Sequence, residues 1–462
     1  MQLRDALRTT APGATSIGAP RAGVPSAGAL RAWLLRPAGP VTVALLAVVL
    51  AARAARVAVA FAGGGMDNAF VVHAGQVWLH GGAPYADRRF LYLPSAVLFA
   101  GAQAALPAPL LRVAAPVVCV ALIAGGWWCA VRLFRVPARS RFAVLGLLGL
   151  VLAWAPVGHL VNLGNWTAVS ALALPLALLL ADRGRWDAAG VVLGISVAVK
   201  PLLLPVVLLF VLARRWRALA WMAGLPAALS LGAALMMPDP GGFFTRTLPF
   251  LLKGGDALMR PFDSSLPAVL PRLGVPPALA EGVALAAAAA GVGCAWLRRR
   301  RADPGPARLA DTAAMLMLAS YLVSRPSYDH YLVVVVPLLV AGALERDSVT
   351  RSPWFWAALL PQVPEFTFPL LDAPMRRAFK DAVTLALLAS ALAVRCARPF
   401  PARAAAEPAP SMDRALPADR APATDRARTA DRARNPDRPV PQVPLPPSGR
   451  APSRNGVREG SR

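Results

Sequence analysis

Apolar stretches of about 15–22 residues, separated by short polar segments, recur along this chain from residue 41 to residue 396. Each is near the roughly 20 residues that a helix needs to cross the hydrocarbon core of a bilayer. A membrane barrel would instead alternate apolar and polar residues over short strands. The pattern predicts an all-α polytopic membrane protein with about 10–12 transmembrane helices. Ten crossings are predicted at 41–62, 112–134, 142–157, 165–181, 218–237, 278–297, 310–323, 331–344, 354–371 and 379–396.

The polar segments orient these crossings. Arginines cluster at Arg132/Arg135/Arg139/Arg141, Arg183/Arg185, Arg214/Arg215/Arg217, Arg298–Arg301 with Arg308, and Arg346/Arg351. By the positive-inside rule all belong on the cytoplasmic face, so an even number of crossings must separate consecutive clusters. The segment 91–106 is short and carries Pro94, which makes it an outer-surface helix rather than a span. The apolar run 188–213 lies between two inner clusters and must turn back, and Lys200-Pro201 at its middle is the natural turn. Each arm is too short to span at about 1.5 Å per residue, which puts Lys200 near the outer face. Both termini are then cytoplasmic. The long external loops are 63–111 and 238–277.

The flanks are different material. Residues 1–40 read as a flexible basic arm, and 41–396 as the transmembrane domain. From Ala397 the chain is rich in Pro and Arg, and Asp-Arg recurs every six residues from Asp413 to Asp437. Such a tail cannot bury a core and is predicted to be disordered.

Composition agrees with this picture: 56% of the 462 residues are hydrophobic and only 16% charged, with a mean hydropathy of +0.51. The net charge of +25, from 49 basic and 24 acidic residues, would suggest nucleic acid in a soluble chain. Here the arginines lie between spans, so membrane lipids are the expected partners and nucleic acid is not. The four cysteines lack CxxC spacing and support neither a metal site nor a disulfide framework. The first apolar run starts near Val41 and resembles a retained anchor more than a cleaved signal.

Polar residues predicted on the outer face then carry the chemistry. They include Asp67, Tyr85, Tyr92, His159, Asn162, Asn165, Lys200, Arg246, Asp263, Arg325, Tyr328, Asp329 and His330. External Arg and Lys run against the positive-inside rule, and an anionic ligand such as a lipid phosphate is one reason for them. Snorkelling to headgroups is the other. Asp67 closes the first span after Gly63–Gly65 and precedes an apolar helix over 69–79 that would lie in the interface. An acid at an apolar boundary suits a general base. An Asp just before a helix is equally the mark of an N-cap, and the two roles do not exclude each other. SRPSYDHY (Ser324–Tyr331) breaks an apolar run with a dense set of hydrogen-bonding groups suited to sugar or phosphate.

Several of these segments resemble glycosyltransferase family 87. They are Asp67 with Tyr85 eighteen residues on, LYLP (Leu91–Pro94), the hairpin GRWDAAGVVLGISVAVKPLLLP (Gly184–Pro205) and SYDHY (Ser327–Tyr331). DPGGFFTRTLPFLL (Asp239–Leu252) followed by DSSL (Asp263–Leu266) looks most like its actinobacterial α-(1→3)-arabinofuranosyltransferase branch. The resemblance implies a C-type membrane glycosyltransferase fold and cell-membrane localisation. It implies a polyprenyl-phosphate-linked sugar as donor and a cell-envelope glycan or glycolipid as acceptor on the outer face. That branch has paired acids where this chain has Met66-Asp67, Tyr-Pro-Pro at Tyr92-Leu93-Pro94, and Asn at Asp263.

The implied reaction is one inverting displacement, with Asp67 as base and Lys200, then Arg325 and Arg246, facing the donor phosphate. Arg53 or Arg56 is a further option for that cation. Tyr85, Tyr92, Tyr328, Asp329 and His330 line the sugar site in this reading. No cofactor is expected beyond the lipid-linked donor, and no metal, because no acidic cluster suggests a cation site. Mannosyl transfer within the same family stays open, as does a lipid-linked-sugar transporter or flippase, which would also use intramembrane Arg and a proline-broken helix.

Overall fold

The computed structural model describes residues 27–256, 259–301, 305–364 and 376–398. The described residues are helical, and an isolated bridge between Pro37 and Ser140 is their one strand-like pairing. The chain opens with α1 (Ala27–Leu35) and α2 (Pro40–Ala60), and α3 (Met66–Leu79) and α4 (Ala96–Ala104) fold the first loop. Next come α5 (Ala108–Leu133), α6 (Arg141–Ala153), α7 (Ala155–Leu163), α8 (Thr167–Asp182) and α9 (Trp186–Val199). After these lie α10 (Val207–Leu212), α11 (Trp216–Leu235) and the short α12 (Leu248–Leu252) and α13 (Leu266–Val269) of the second loop. The last are α14 (Pro277–Arg300), α15 (Pro306–Val323), α16 (Val336–Ala341), α17 (Pro353–Leu359) and α18 (Arg377–Ala397).

Among the described residues, four helices are long and apolar enough to cross a membrane: α2, α5, α11 and α14. The pair α6 and α7, bent by 74°, makes a fifth if it is one span. Other predicted crossings fall on shorter helices, and proline breaks some of them. The predicted span 142–157 breaks at Trp154, in extended conformation just ahead of Ala155-Pro156. Pro156 has no N–H to give the preceding turn, and its ring crowds that turn's carbonyl. The predicted span 331–344 is split into a 3-10 turn (Asp329–Val334) and the six-residue α16, with Pro337 at the start of the latter. At 16 residues, α8 rises about 24 Å, less than a hydrocarbon core of about 30 Å. The predicted span 354–371 is described only to residue 364.

Small residues let the central helices meet closely. A Cβ on Gly126 of α5 would fall 2.2 Å from the Ala171 carbonyl oxygen of α8, and one on Gly190 of α9 would fall 2.3 Å from the Ala218 carbonyl oxygen of α11. The main core fills the space between these helices with Trp127, Leu147, Leu174, Leu178, Phe210 and Tyr321. A second core lies beneath the first loop, where Val71, Tyr85, Phe90, Tyr92 and Val97 pack with Ala233 and Met237. The apolar helix predicted after Asp67 is α3, and the predicted surface helix at 91–106 is the nine-residue α4, which packs against it.

One expectation about order changes. Within the supposedly flexible arm, residues 27–35 are helical, and backbone bonds pin the chain after them to the α5–α6 turn. These run from Ala38 N–H to the Arg139 carbonyl and from Arg141 N–H to the Arg36 carbonyl, both 2.8 Å. The arm before residue 27 and the Asp-Arg repeats lie outside the described residues. Arg298, from the basic cluster predicted on the cytoplasmic face, is buried, with 1% of its surface exposed. Its Nε donates to Asp311 Oδ2 (3.0 Å), and Arg395 Nε donates to the same oxygen (2.9 Å). One carboxylate of α15 thus ties α14 to α18.

Candidate active site

The site begins where α2 gives way to α3. Gly64 (φ +73°) and Gly65 (φ +142°) turn the chain in conformations that side-chain-bearing residues disfavour. They also touch the end of α7, since a Cβ on Gly65 would lie 2.6 Å from Gly164 Cα. Asp67 is the second residue of α3, where the positive end of the helix favours a carboxylate. It is not the N-cap. That position falls to Gly65, and no side chain caps the helix. The half-buried Asp67 carboxylate is held across space instead, with Oδ2 accepting from Asn165 Nδ2 at 2.6 Å.

Asn165 owes its place to two local signals. α7 ends on Gly164 in the left-handed conformation (φ 60°), a common helix stop. The Asn165 side chain then folds back on the start of α8, its Oδ1 accepting from the Thr167 N–H (2.9 Å) and the Thr167 hydroxyl (2.8 Å). The same Oδ1 accepts from Lys200 Nζ at 2.6 Å, and Nζ also donates to Thr167 Oγ1 at 2.9 Å. Lys200 ends α9 in extended conformation because Pro201 follows it. Its ammonium, buried with the rest of the side chain, lies 4.9 Å from the centre of the Tyr331 ring and 5.9 Å from that of Tyr92. The charge of Asp67 acts on Lys200, Tyr92, Tyr328, His330 and Tyr331. One hydrogen-bonded network therefore joins the Asp67 carboxylate to the Lys200 ammonium through Asn165.

The aromatic residues divide by depth. Tyr85 is wholly buried and donates its hydroxyl to the Tyr92 carbonyl (2.9 Å), and burial pushes its phenol far up. It braces the loop that carries Tyr92, whose own ring leans on Phe90 and Trp166 and faces Lys200. Tyr328 stacks on His330, with ring centres 5.4 Å apart. Asp329 is taken up by its neighbours. It meets the His159 ring, accepts from the His330 N–H (2.7 Å) and accepts from Arg377 Nη2 (3.3 Å).

Arg246 and Arg325, the other two cations expected to face the donor phosphate, are engaged elsewhere. Arg246 pairs with Asp239 and reaches the Tyr85 carbonyl at 3.4 Å. Arg325 donates to the Pro267 carbonyl (2.9 Å) and pairs with Glu281 (3.5 Å). In the second loop, Asp263 accepts from the Ser327 and Ser265 N–H groups at 2.9 and 3.0 Å. Burial raises its pKa despite those bonds. Arg53, the weaker cation candidate, donates to the Val151 carbonyl at 3.2 Å.

Asn165 and His159 stand among the external polar residues that the sequence left without a role. The clue to Asn165 was the Gly-Asn pair between two apolar runs, a helix stop followed by a residue that bonds its own backbone. Thr167 and Arg377 were not singled out at all. Arg376 and Arg377 form a basic pair between predicted spans 354–371 and 379–396, which the predicted topology puts on the outer face, where basic residues are the exception.

A model of glycosyltransferase family 87 matches residues 90–326, or 237 of the 462 positions. The match takes in Tyr92, Asn165, Lys200, Arg246 and Arg325. Asp67 and Tyr85 precede it, and Tyr328–His330 follow it. No curated protein and no solved structure matches the chain. With an all-helical fold, several membrane-length helices and this match over more than half its length, the chain belongs to glycosyltransferase family 87.

Proposed function

We propose that the protein transfers a sugar, with arabinofuranose favoured, from a polyprenyl-phosphate donor to a cell-envelope glycan or glycolipid on the outer face of the cell membrane. The network Asp67–Asn165–Lys200 carries this reading, because it joins a carboxylate and a buried ammonium through one neutral side chain. Asp67 takes the proton of the acceptor hydroxyl as its oxygen bonds to the anomeric carbon, and the bond from that carbon to the phosphate oxygen breaks on the opposite side. Charge grows on the departing phosphate, where the fixed cation Lys200 stabilises it in a low-dielectric setting. Tyr92, Tyr328 and His330 flank the sugar, and apolar grooves between helices take the polyprenyl chain. The choice of sugar rests on DPGGFFTRTLPFLL and DSSL.

The test is transfer of labelled sugar by purified protein from polyprenyl-phospho-arabinose and, separately, polyprenyl-phospho-mannose. Wild type is compared with Asp67→Asn. Transfer from the arabinose donor that the variant abolishes supports the whole proposal, and transfer from the mannose donor alone replaces the sugar. Undiminished transfer by Asp67→Asn removes the base. No transfer from either donor removes the polyprenyl-phosphate reading.

A further inference from the structure

We infer that Asn165 is a positioning residue that hydrogen-bonds Asp67 and Lys200 at once and keeps the two from pairing with each other. The inference rests on the proposed roles of Asp67 as base and Lys200 as the cation that meets the donor phosphate.

The orientation of the amide is forced by its partners. A backbone N–H and an ammonium only donate, so the atom that meets both Thr167 N and Lys200 Nζ is the carbonyl oxygen. The remaining atom is therefore the NH2 group, which donates to Asp67 Oδ2. The two charged groups each receive a partner of matching polarity, one amide width apart. Left alone in a low-dielectric site, a carboxylate and an ammonium at this spacing would close on one another. A direct pair would make Asp67 a poorer base and neutralise the charge that Lys200 has to offer the phosphate.

The frame around the amide leaves it little freedom. Thr167 holds Oδ1 from the main chain and from its hydroxyl. On the other side, a Cβ on Gly164 would lie 2.7 Å from the Gly64 carbonyl oxygen, so the turn before Asn165 is pressed against the turn before Asp67. The titratable groups around Asp67 come from three further segments. They are Lys200 at the end of α9, Tyr92 of the first loop, and Tyr328, His330 and Tyr331 of SYDHY. From α7, which packs on α3, His159 is bound to Asp329 and Arg377. α4 brings no titratable side chain to this contact.

The experiment is the pH profile of kcat for the full-length protein at saturating lipid-linked donor, using whichever of the arabinose and mannose donors it accepts. Asn165→Ala lets Lys200 collapse onto Asp67. Its kcat falls on the order of 10–100-fold, by analogy with lost supporting hydrogen bonds elsewhere. The acidic limb moves to lower pH, because a directly paired carboxylate stays ionised further down. Asn165→Asp keeps the shape but sets a second carboxylate against Asp67, so its acidic limb moves to higher pH. A purely structural role would not shift the limb in opposite directions, and a limb that stays put in both variants overturns the inference. If Asn165→Ala does not give folded protein, Asn165→Asp carries the test: an upward shift supports the inference and an unmoved limb ends it. Asp67→Asn separates the two levels. Wild-type activity in that variant brings down the base assignment and this inference together. An inactive Asp67→Asn with unmoved limbs in the Asn165 variants brings down the positioning role alone.

Discussion

The two ends of α18 take part in different arrangements of buried charge. At its C-terminal end, Arg395 joins Arg298 on a single oxygen of Asp311, cation directly against carboxylate. At its N-terminal end, eighteen positions and about 27 Å of helix away, Arg377 enters a mixed cluster with Asp329 and His159. Next to that cluster, beyond His330, lies a carboxylate–ammonium pair with an amide between its members. The contrast separates two uses of buried charge. The direct arrangement sets two arginines on one carboxylate oxygen and ties three helices together. An interrupted pair, on the proposed reading, keeps a base and a cation available, at the cost of holding two charges near apolar surroundings without mutual neutralisation.

Four substitutions sharpen or break this contrast, from the largest expected effect to the smallest. Asp67→Asn should lower sugar transfer by about 10²–10⁴-fold, the usual share of a general base, with little change in thermal stability. A variant that instead melts early would move Asp67 into the class of Asp311. Asp311→Ala should do the opposite and cost about 3–5 kcal/mol of stability, because Arg298 and Arg395 are left as buried charges without a carboxylate. Denaturation in detergent measures it, and wild-type stability would dissolve the comparison. Lys200→Met should lower kcat/KM for the lipid-linked donor about tenfold or more, because the charge growing on the departing phosphate loses its cation. Unchanged donor dependence would take Lys200 out of the phosphate site.

The smallest effect concerns Asp263, whose carboxyl is raised by burial. A raised carboxyl stabilises the folded state while protonated. That contribution is present below the ordinary carboxylate range of about pH 4 and is lost as pH rises through the shifted value. Asp263→Asn keeps an oxygen for the Ser265 and Ser327 N–H groups and removes the charge. Its melting temperature should therefore change less than that of wild type between about pH 4 and pH 7. Parallel curves for the two proteins would refute the assignment.

Some of this was legible in the sequence, for physical reasons that differ by residue. Lys200 was found because a Lys-Pro step in an apolar run is a strong local break, and the structure puts the break there. Asp67 was found as the lone acid after a span, but the local cap signal could not distinguish a bond to its own helix from one to Asn165, 98 residues away. For Arg298 the positive-inside rule assigned a side of the membrane and said nothing of a partner. Asp311, an acid within an apolar helix, was the missing sign. Hydropathy windows also pass over Pro156 and Pro337, where the helices break, so they gave the apolar segments but not the breaks inside them.

The separation of 98 residues between Asp67 and Asn165 also has a consequence for biogenesis. At about 5–20 residues per second, a growing chain exposes Asp67 some 5–20 s before the side chain that will hold it. Lys200 follows another 35 positions later. The nascent first loop must wait, its glycine turn unmatched, until α5 to α9 have been made and inserted. A chain whose early helices are misplaced leaves the Asp67 carboxylate without the Asn165 amide that holds it.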